Sequence, residues 1–196
     1  QEGQVWYNTT STVLKGYGMQ GTAAWASGGT CNTGRKAASG AGITTAAIVT
    51  GGSTDPPTTG TEISATESYN GSAWTETGHA LNTGRRYMAN FGLQTAAMVA
   101  GGAANTPGDN VDVVEEYDGS SWSEKNNLST AKRDVMGAFG GTMTAGLVYG
   151  GYAPGITAAC ESWNGTSWTE VSDLNTATVQ SVGAGTQTAA LCSAGG

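Results

Sequence analysis

The stretch ESYNGSAWTE (67–76) is written twice more with small changes, as EEYDGSSWSE (115–124) and ESWNGTSWTE (161–170). Each copy sets an aromatic residue before an Asn-Gly or Asp-Gly pair and a Trp after it: Tyr69 and Trp74, Tyr117 and Trp122, Trp163 and Trp168. Asn-Gly and Asp-Gly tolerate the positive φ angles of a type I′ turn, whose twist matches that of two adjacent antiparallel strands. The phrase therefore predicts three β-hairpins, with Asn70, Asn164, Gly71, Gly119 and Gly165 in the turns. Asn70 and Asn164 also match the N-glycosylation acceptor pattern, as do Asn8 and Asn127. Turn geometry alone accounts for the first two.

Between the hairpins runs a second repeat: TAAIVTGG from 45, TAAMVAGG from 95, TAGLVYGG from 144 and TAALCSAGG from 188. Short apolar runs stopped by paired glycines read as buried strands ending at tight bends. The pairs are Gly51 and Gly52, Gly101 and Gly102, Gly150 and Gly151, and Gly195 and Gly196, in steps of 50, 49 and 45. A period of that length signals a solenoid, a propeller or an array. Ahead of each apolar run lies a third phrase, CNTGRKAASGAGITT from 31, LNTGRRYMANFGLQT from 81, LSTAKRDVMGAFGGTMT from 128 and LNTATVQSVGAGTQT from 174. One period is thus four strands: a glycine-rich strand, the apolar strand, the strand ending in Tyr or Trp, and the Trp strand.

Gly-Gly, then an aromatic, then Trp, at a period near 48 over residues 20–196, resembles the kelch repeat and its four-stranded propeller blade. The resemblance implies an all-β propeller in one domain, 1–196, with full blades over 35–76, 85–124 and 132–170. An outer hairpin from 1–25 and inner strands from 177–196 would join as a fourth blade and close the ring, leaving no open edge. The last Gly-Gly carries one extra residue before it, and Trp25 lacks the ESYNG lead. Glycine at 32 of 196 residues and charged residues at 12%, against a usual share of about 25%, suit strands crowded around an axis. Trp25, Trp74, Trp122 and Trp168, spaced by 49, 48 and 46, are read as packing between blades.

The net charge of −7 argues against nucleic-acid binding, which needs a basic patch to release counterions from phosphates. Arg35, Lys36, Arg85, Arg86, Lys132 and Arg133 do recur, as residues paired or solvated at each blade entrance. Aligned on the Trp, position 11 beyond it is Lys36, Arg85, Arg133 and Val179, a connection of constant length. No apolar run reaches the length of a membrane span. The chain shows no signal peptide, and its start at Gln1 reads as processing or as a fragment. Cys31, Cys160 and Cys192 have no metal-ligand spacing, and one thiol stays odd however they pair.

Signs of catalysis are few. His79 is the single histidine, and a copper-radical oxidase site needs at least two. A glycosidase needs two placed carboxylates. Glu62, Glu67, Asp109, Asp112, Glu115 and Glu116 are available, but Glu67, Glu115 and Glu161 recur with the strand frame and read as structural. The stretch 107–116 matches no known calcium loop. The reading is of a non-enzyme with no metal and no cofactor.

The opening EGQVWYNTTSTVLKGYG (2–18) reads as a hairpin with a polar turn, and is similar to segments of phage tail-fibre and other virion proteins. NGTSWTE, LNTA and GTQTAAL resemble kelch-like arrays in virion-associated proteins of marine and cyanobacterial phages. This resemblance implies a structural or adhesive module of a virion, contacting other virion proteins or a host-surface glycan or protein, with no membrane span and with homo-oligomerisation open. The alternative is a bacterial kelch scaffold or a secreted glycan-binding propeller. The connection from Gly-Gly to the next aromatic varies in length and content, and scaffolds place binding on such loops. It offers Asp55, Pro56, Pro57, Asn105, Asp109, Tyr152 and Pro154 as contact residues.

Overall fold

A computed structural model describes residues 5–8, 13–16, 28–54, 61–104, 109–137 and 142–193. Every regular element among them is a β-strand. The hairpin of β1 (Val5–Asn8) and β2 (Val13–Gly16) forms a two-stranded sheet of its own. Sheet one follows, with antiparallel order β3 (Ser39–Ile43), β4 (Ala46–Thr50), β5 (Ala65–Tyr69) and β6 (Trp74–Ala80).

A short strand, β7 (Arg85–Arg86), leads to sheet two, built of β8 (Ala89–Leu93), β9 (Ala96–Ala100), β11 (Val114–Tyr117) and β12 (Trp122–Lys125). Between β9 and β11, β10 (Ala103–Ala104) pairs back on β7. Sheet three is β13 (Met136–Gly137), β14 (Gly146–Tyr149), β15 (Cys160–Trp163) and β16 (Trp168–Val171). The chain then adds the pair β17 (Val182–Thr186) and β18 (Ala189–Ser193). The first strands β3, β8, β13 and β17 pack on one another in series.

Sheet two is buried on both faces, which is why Ala96–Ala100 reads as an unbroken apolar run and not as an alternating one. One face of sheet two, with Ala97, Val99, Tyr117 and Trp122, packs with Ile48 of sheet one, together with Leu81 and Met88. Its other face, with Ala89, Phe91, Met98, Ala100 and Val114, packs with Val148 and Trp163 of sheet three, and Trp168 abuts that cluster. Small residues set the spacing, since a Cβ on Gly146 would overlap the Phe91 ring.

The outer hairpins depart from the type I′ expectation. Asn70, Asp118 and Asn164 keep negative φ, and only Gly71, Gly119 and Gly165 are left-handed, at +92°, +94° and +91°. Tyr69 pairs directly with Trp74, so the connection is a four-residue loop instead of a two-residue turn. Asn70 Oδ1 accepts the amides of Ser72 and Ala73, both at 2.9 Å, and Asp118 and Asn164 repeat the arrangement. Those bonds hold the Asp118 carboxyl down at about 2, the Ser120 hydroxyl and amide foremost. The acidic or amide side chain is needed for its oxygen, not for its own backbone freedom.

The paired glycines bring successive sheets together. Gly51, Gly101 and Gly150 have φ of +64°, +66° and +62°, and each second glycine, Gly52, Gly102 and Gly151, is left-handed too. Their second amides donate to the carbonyls of Arg85, Lys132 and Thr178 in the entrance of the next unit, all at 2.9 Å. That corrects the alignment drawn from Trp. Two residues beyond Arg35, Arg85, Lys132 and Thr178 stand Ala37, Tyr87, Asp134 and Gln180, the four non-glycine residues with positive φ among the described residues. These four, not Lys36, Arg85, Arg133 and Val179, are therefore equivalent, and the connection from Trp varies by one residue.

Among the described residues, the array has an open face at each end. Val182 and Leu191 of the terminal pair are 64% and 70% exposed, whereas their counterparts Ser39 and Ile48 are 3% and 2% exposed. On sheet one, Trp74, Ala47 and Val49 border an open groove of about 440 Å3. Residues 194–196, where the closing Gly-Gly falls, lie outside the described residues.

A Cβ at Gly101 would sit 2.6 Å from the Lys132 carbonyl oxygen in a left-handed backbone, while one at Gly155 would meet nothing within 4 Å. Gly101→Ala is expected to cost more than about 2 kcal/mol, as strained left-handed positions do. Gly155→Ala is expected to stay within about 0.5 kcal/mol of the parent. Urea unfolding of both variants checks the contrast.

Candidate functional site

The recurring charges fall into two tiers. In the buried tier, Arg35, Arg85 and Lys132 reach the carboxylates of Glu67, Glu115 and Glu161 on the third strands at 2.7, 2.6 and 2.8 Å. Arg85 and Glu115 have no exposed side-chain surface. Lys132 Nζ faces Glu161 Oε1 without hydrogen-bond alignment, as an ion pair only.

Each carboxylate also takes a backbone amide from the Asn-Thr or Ser-Thr loop that enters its own sheet: Asn32 N at 2.7 Å, Asn82 N at 2.8 Å and Ser129 N at 2.8 Å. Glu67 adds the amide of Thr33. Burial pushes the Glu67 carboxyl up, but the Asn32 amide, the Arg35 guanidinium and the Thr33 amide outweigh it and hold it below the usual carboxylate range. Burial likewise lowers the Arg85 guanidinium, and Glu115 opposes that.

The second tier lies one residue on. Lys36, Arg86 and Arg133 bridge to Ser53, Ala103 and Tyr152, the residues that follow each Gly-Gly. Those residues pair in turn with Glu62, Asn110 and Ile156, so each variable connection stands on a closed stem. Arg86 Nη1 meets Glu62 Oε1 at 2.6 Å, and Arg133 Nη1 meets Asn110 Oδ1 at 2.9 Å. The Arg133 guanidinium also covers the Tyr152 ring at 4.4 Å. Asn110 Nδ2 donates to the carbonyls of Tyr152 and Ala153, at 2.9 and 3.1 Å. The connections bearing Asp109 and those bearing Tyr152 and Pro154 thus meet on one face, with Asp109 and Pro154 exposed. Asp55, Pro56, Pro57 and Asn105 lie outside the described residues.

Tyr69, Tyr117 and Trp163 each lie about 5 Å from the Trp across their hairpin. Trp122 Nε1 donates to Thr66 Oγ1 of sheet one at 3.0 Å, and Thr66 Oγ1 shares a hydrogen bond with Thr50. His79 stands on β6. Its Nδ1 lies 2.7 Å from the Tyr117 hydroxyl of the next sheet, and it lines a crevice of about 340 Å3 with Ser68, Asn70 and Gln94. His79 occurs in one repeat only, so periodicity carried no signal for that contact. Among the described residues, no three His, Cys, Asp or Glu side chains gather as a metal would require, and all three cysteines are free thiols. No helix among them is long and apolar enough to cross a membrane.

No family model and no curated protein matches this chain. Among solved structures, the one titled "Structure of YjhT" matches with a TM-score of 0.63 at 14% identity, over 76% of this chain and 56% of that one. At this identity the likeness speaks to fold alone, and the chain spans little more than half of that structure. With the serial sheets above, it makes the protein an all-β, propeller-like array of antiparallel sheets.

Removing one member of a buried pair strands the other charge. Arg85→Met is expected to cost about 3–5 kcal/mol. Adding Glu115→Leu should recover most of that loss in chemical denaturation. Glu67 has a lowered folded pKa, so its contribution is present above the usual carboxylate range and is lost as pH falls through the lowered value. Unfolding curves of the parent and Glu67→Gln should therefore converge in acid and separate toward neutrality.

Proposed function

We propose that this chain is a non-catalytic recognition or structural module: a kelch-like propeller of four blades serving in a phage virion as part of a tail fibre or appendage. The observation that carries the reading is the division of labour between the two tiers. The buried carboxylates Glu67, Glu115 and Glu161 are occupied by cations and loop amides inside the frame, and a group so engaged is not free to shuttle protons. The sequence variation between repeats, in turn, is gathered in loops raised on closed stems, with Asp109, Tyr152 and Pro154 on one face. A rigid frame presenting irregular loops is the usual arrangement for binding.

The partner is a host-surface glycan or protein, or a neighbouring virion subunit. The phage assignment draws on the sequence likeness of the opening segment and the NGTSWTE and LNTA phrases to virion-associated proteins. It places the protein outside the cell.

Two measurements test the proposal. Mass spectrometry of purified particles is expected to find the chain in the virion, and its absence there would favour a bacterial scaffold instead. Replacing the connections after Gly52 and Gly102 with the shorter one after Gly151 should abolish attachment or assembly while the fold survives. Unchanged attachment and assembly would move the contact surface elsewhere.

A further inference from the structure

Sheet one carries one residue more than its neighbours. Seven positions separate Trp74 from Leu81, but six separate Trp122 from Leu128 and Trp168 from Leu174. The three leucines make the same contact, their amides donating to the carbonyls of Ser64, Asp112 and Ala158, each three residues before a buried glutamate. The extra residue therefore lies within β6. There the pairing of β5 with β6 slips between Ala65 and Glu67, and Gly78 takes a left-handed φ of +73°. This is a β-bulge, a device that re-aims the side chain beside it. The residue beside it is His79.

The bulge changes the junction between sheets one and two. His79 Nδ1 meets the Tyr117 hydroxyl, whose one proton goes to the Gly119 carbonyl at 3.0 Å. The imidazole must therefore donate from Nδ1, and in the neutral ring Nε2 is left as an acceptor. Gln94 spends its amide hydrogens on the carbonyls of Ala47 and Tyr69, which leaves its Oε1 without a partner among the described residues. With the Ser68 and Thr95 hydroxyls these groups border the crevice of about 340 Å3, and Ile48 and Tyr117 supply its apolar part. The next junction holds different groups at the same positions. Glu116 and Lys125 replace Ser68 and Thr77 and pair at 3.2 Å, and Met143 replaces Gln94 and packs on the core. Asn126, in the place of His79, ties across to the Thr166 carbonyl at 2.7 Å.

We propose that the crevice beside the β6 bulge is a binding site for a single neutral sugar ring. No Lys, Arg, Asp or Glu lines it, so an ion entering it would lose hydration without gaining a counter-charge. A sugar ring offers what the lining asks for: an apolar C–H face against Ile48 and Tyr117, and hydroxyls that both donate and accept. The volume stands at the low end of the range for small-ligand pockets, roughly 300–1,000 Å3, which suits one ring and not an extended chain. The Gln94–Thr95 turn and the Asn70 loop lie at the strand ends away from Gly-Gly. The site is thus separate from the variable connections, and its failure would leave their proposed role standing.

His79 is the single histidine of the chain, so its ring protons report on the crevice by proton NMR without labelling. The full chain would be titrated at fixed pH with glucose, galactose, N-acetylglucosamine and rhamnose, and separately with sodium acetate and ammonium chloride. At least one sugar is expected to move the His79 signals saturably, and the two salts are not. Gln94→Met, which installs the residue of sheet three, and deletion of Gly78, which restores the spacing of the other repeats, should each weaken that sugar about tenfold, as loss of one or two hydrogen bonds does. Asn126→Ala, at the second junction, should leave the affinity unchanged. A variant whose His79 signals move to random-coil positions has unfolded, and Ser68→Ala then takes its place with the same expected loss. Signals that stay fixed with all four sugars would overturn the proposal. Saturable movement by either salt would overturn the neutral class of ligand, and sugar affinity retained in both Gln94→Met and Ser68→Ala would overturn the site.

Discussion

The fold turns on a close approach that only glycine permits. The second glycine of each pair donates its amide to the carbonyl at the entrance of the next unit, at Arg85, Lys132 and Thr178. At Arg85 and Lys132 the same residue then extends its side chain to the buried carboxylate of its own sheet. Backbone and side chain of one residue therefore fasten two sheets in a defined order. The carboxylate in turn fixes the loop that brought the cation there, by accepting the amide of Asn82 or Ser129. Each buried pair is offset by proximity and by the amide bonds to its carboxylate, without which the pair would be a net loss.

This frame decides where variation is tolerated. Strands pressed on both faces cannot change volume without cavities or overlap, as Gly146 against Phe91 shows. The connections beyond Gly-Gly start from a closed stem, so their tips change length without disturbing the sheets. The stems of adjacent units are themselves joined, by Arg86 with Glu62 and by Arg133 with Asn110. The described stems therefore stand side by side, and in the proposed virion role the loops they carry meet the partner.

Much of this was legible in the residues. Periodic Gly-Gly, aromatic and Trp positions gave the four-stranded unit, and the apolar runs gave the doubly buried strands. What escaped depended on single contacts across units. Asn-Gly suggested a type I′ turn, but Tyr69 pairs directly with Trp74, and the Asn70 side chain organises a longer loop. Counting from Trp set Lys36, Arg85 and Arg133 together, because one residue more separates Trp74 from Arg85 than separates Trp25 from Arg35. The positive φ at Ala37, Tyr87, Asp134 and Gln180 supplies the true alignment, and no residue preference announces it. His79 reaching Tyr117 had no repeat to signal it.

The most direct test of the glycine-to-carbonyl tie is native-state amide hydrogen exchange read residue by residue. If it holds the sheets together, the amides of Gly52, Gly102 and Gly151 exchange only through opening as costly as that of the central strands β4, β9 and β14. Exchange of these three amides as fast as that of Gly71 in the exposed hairpin loop would contradict the account.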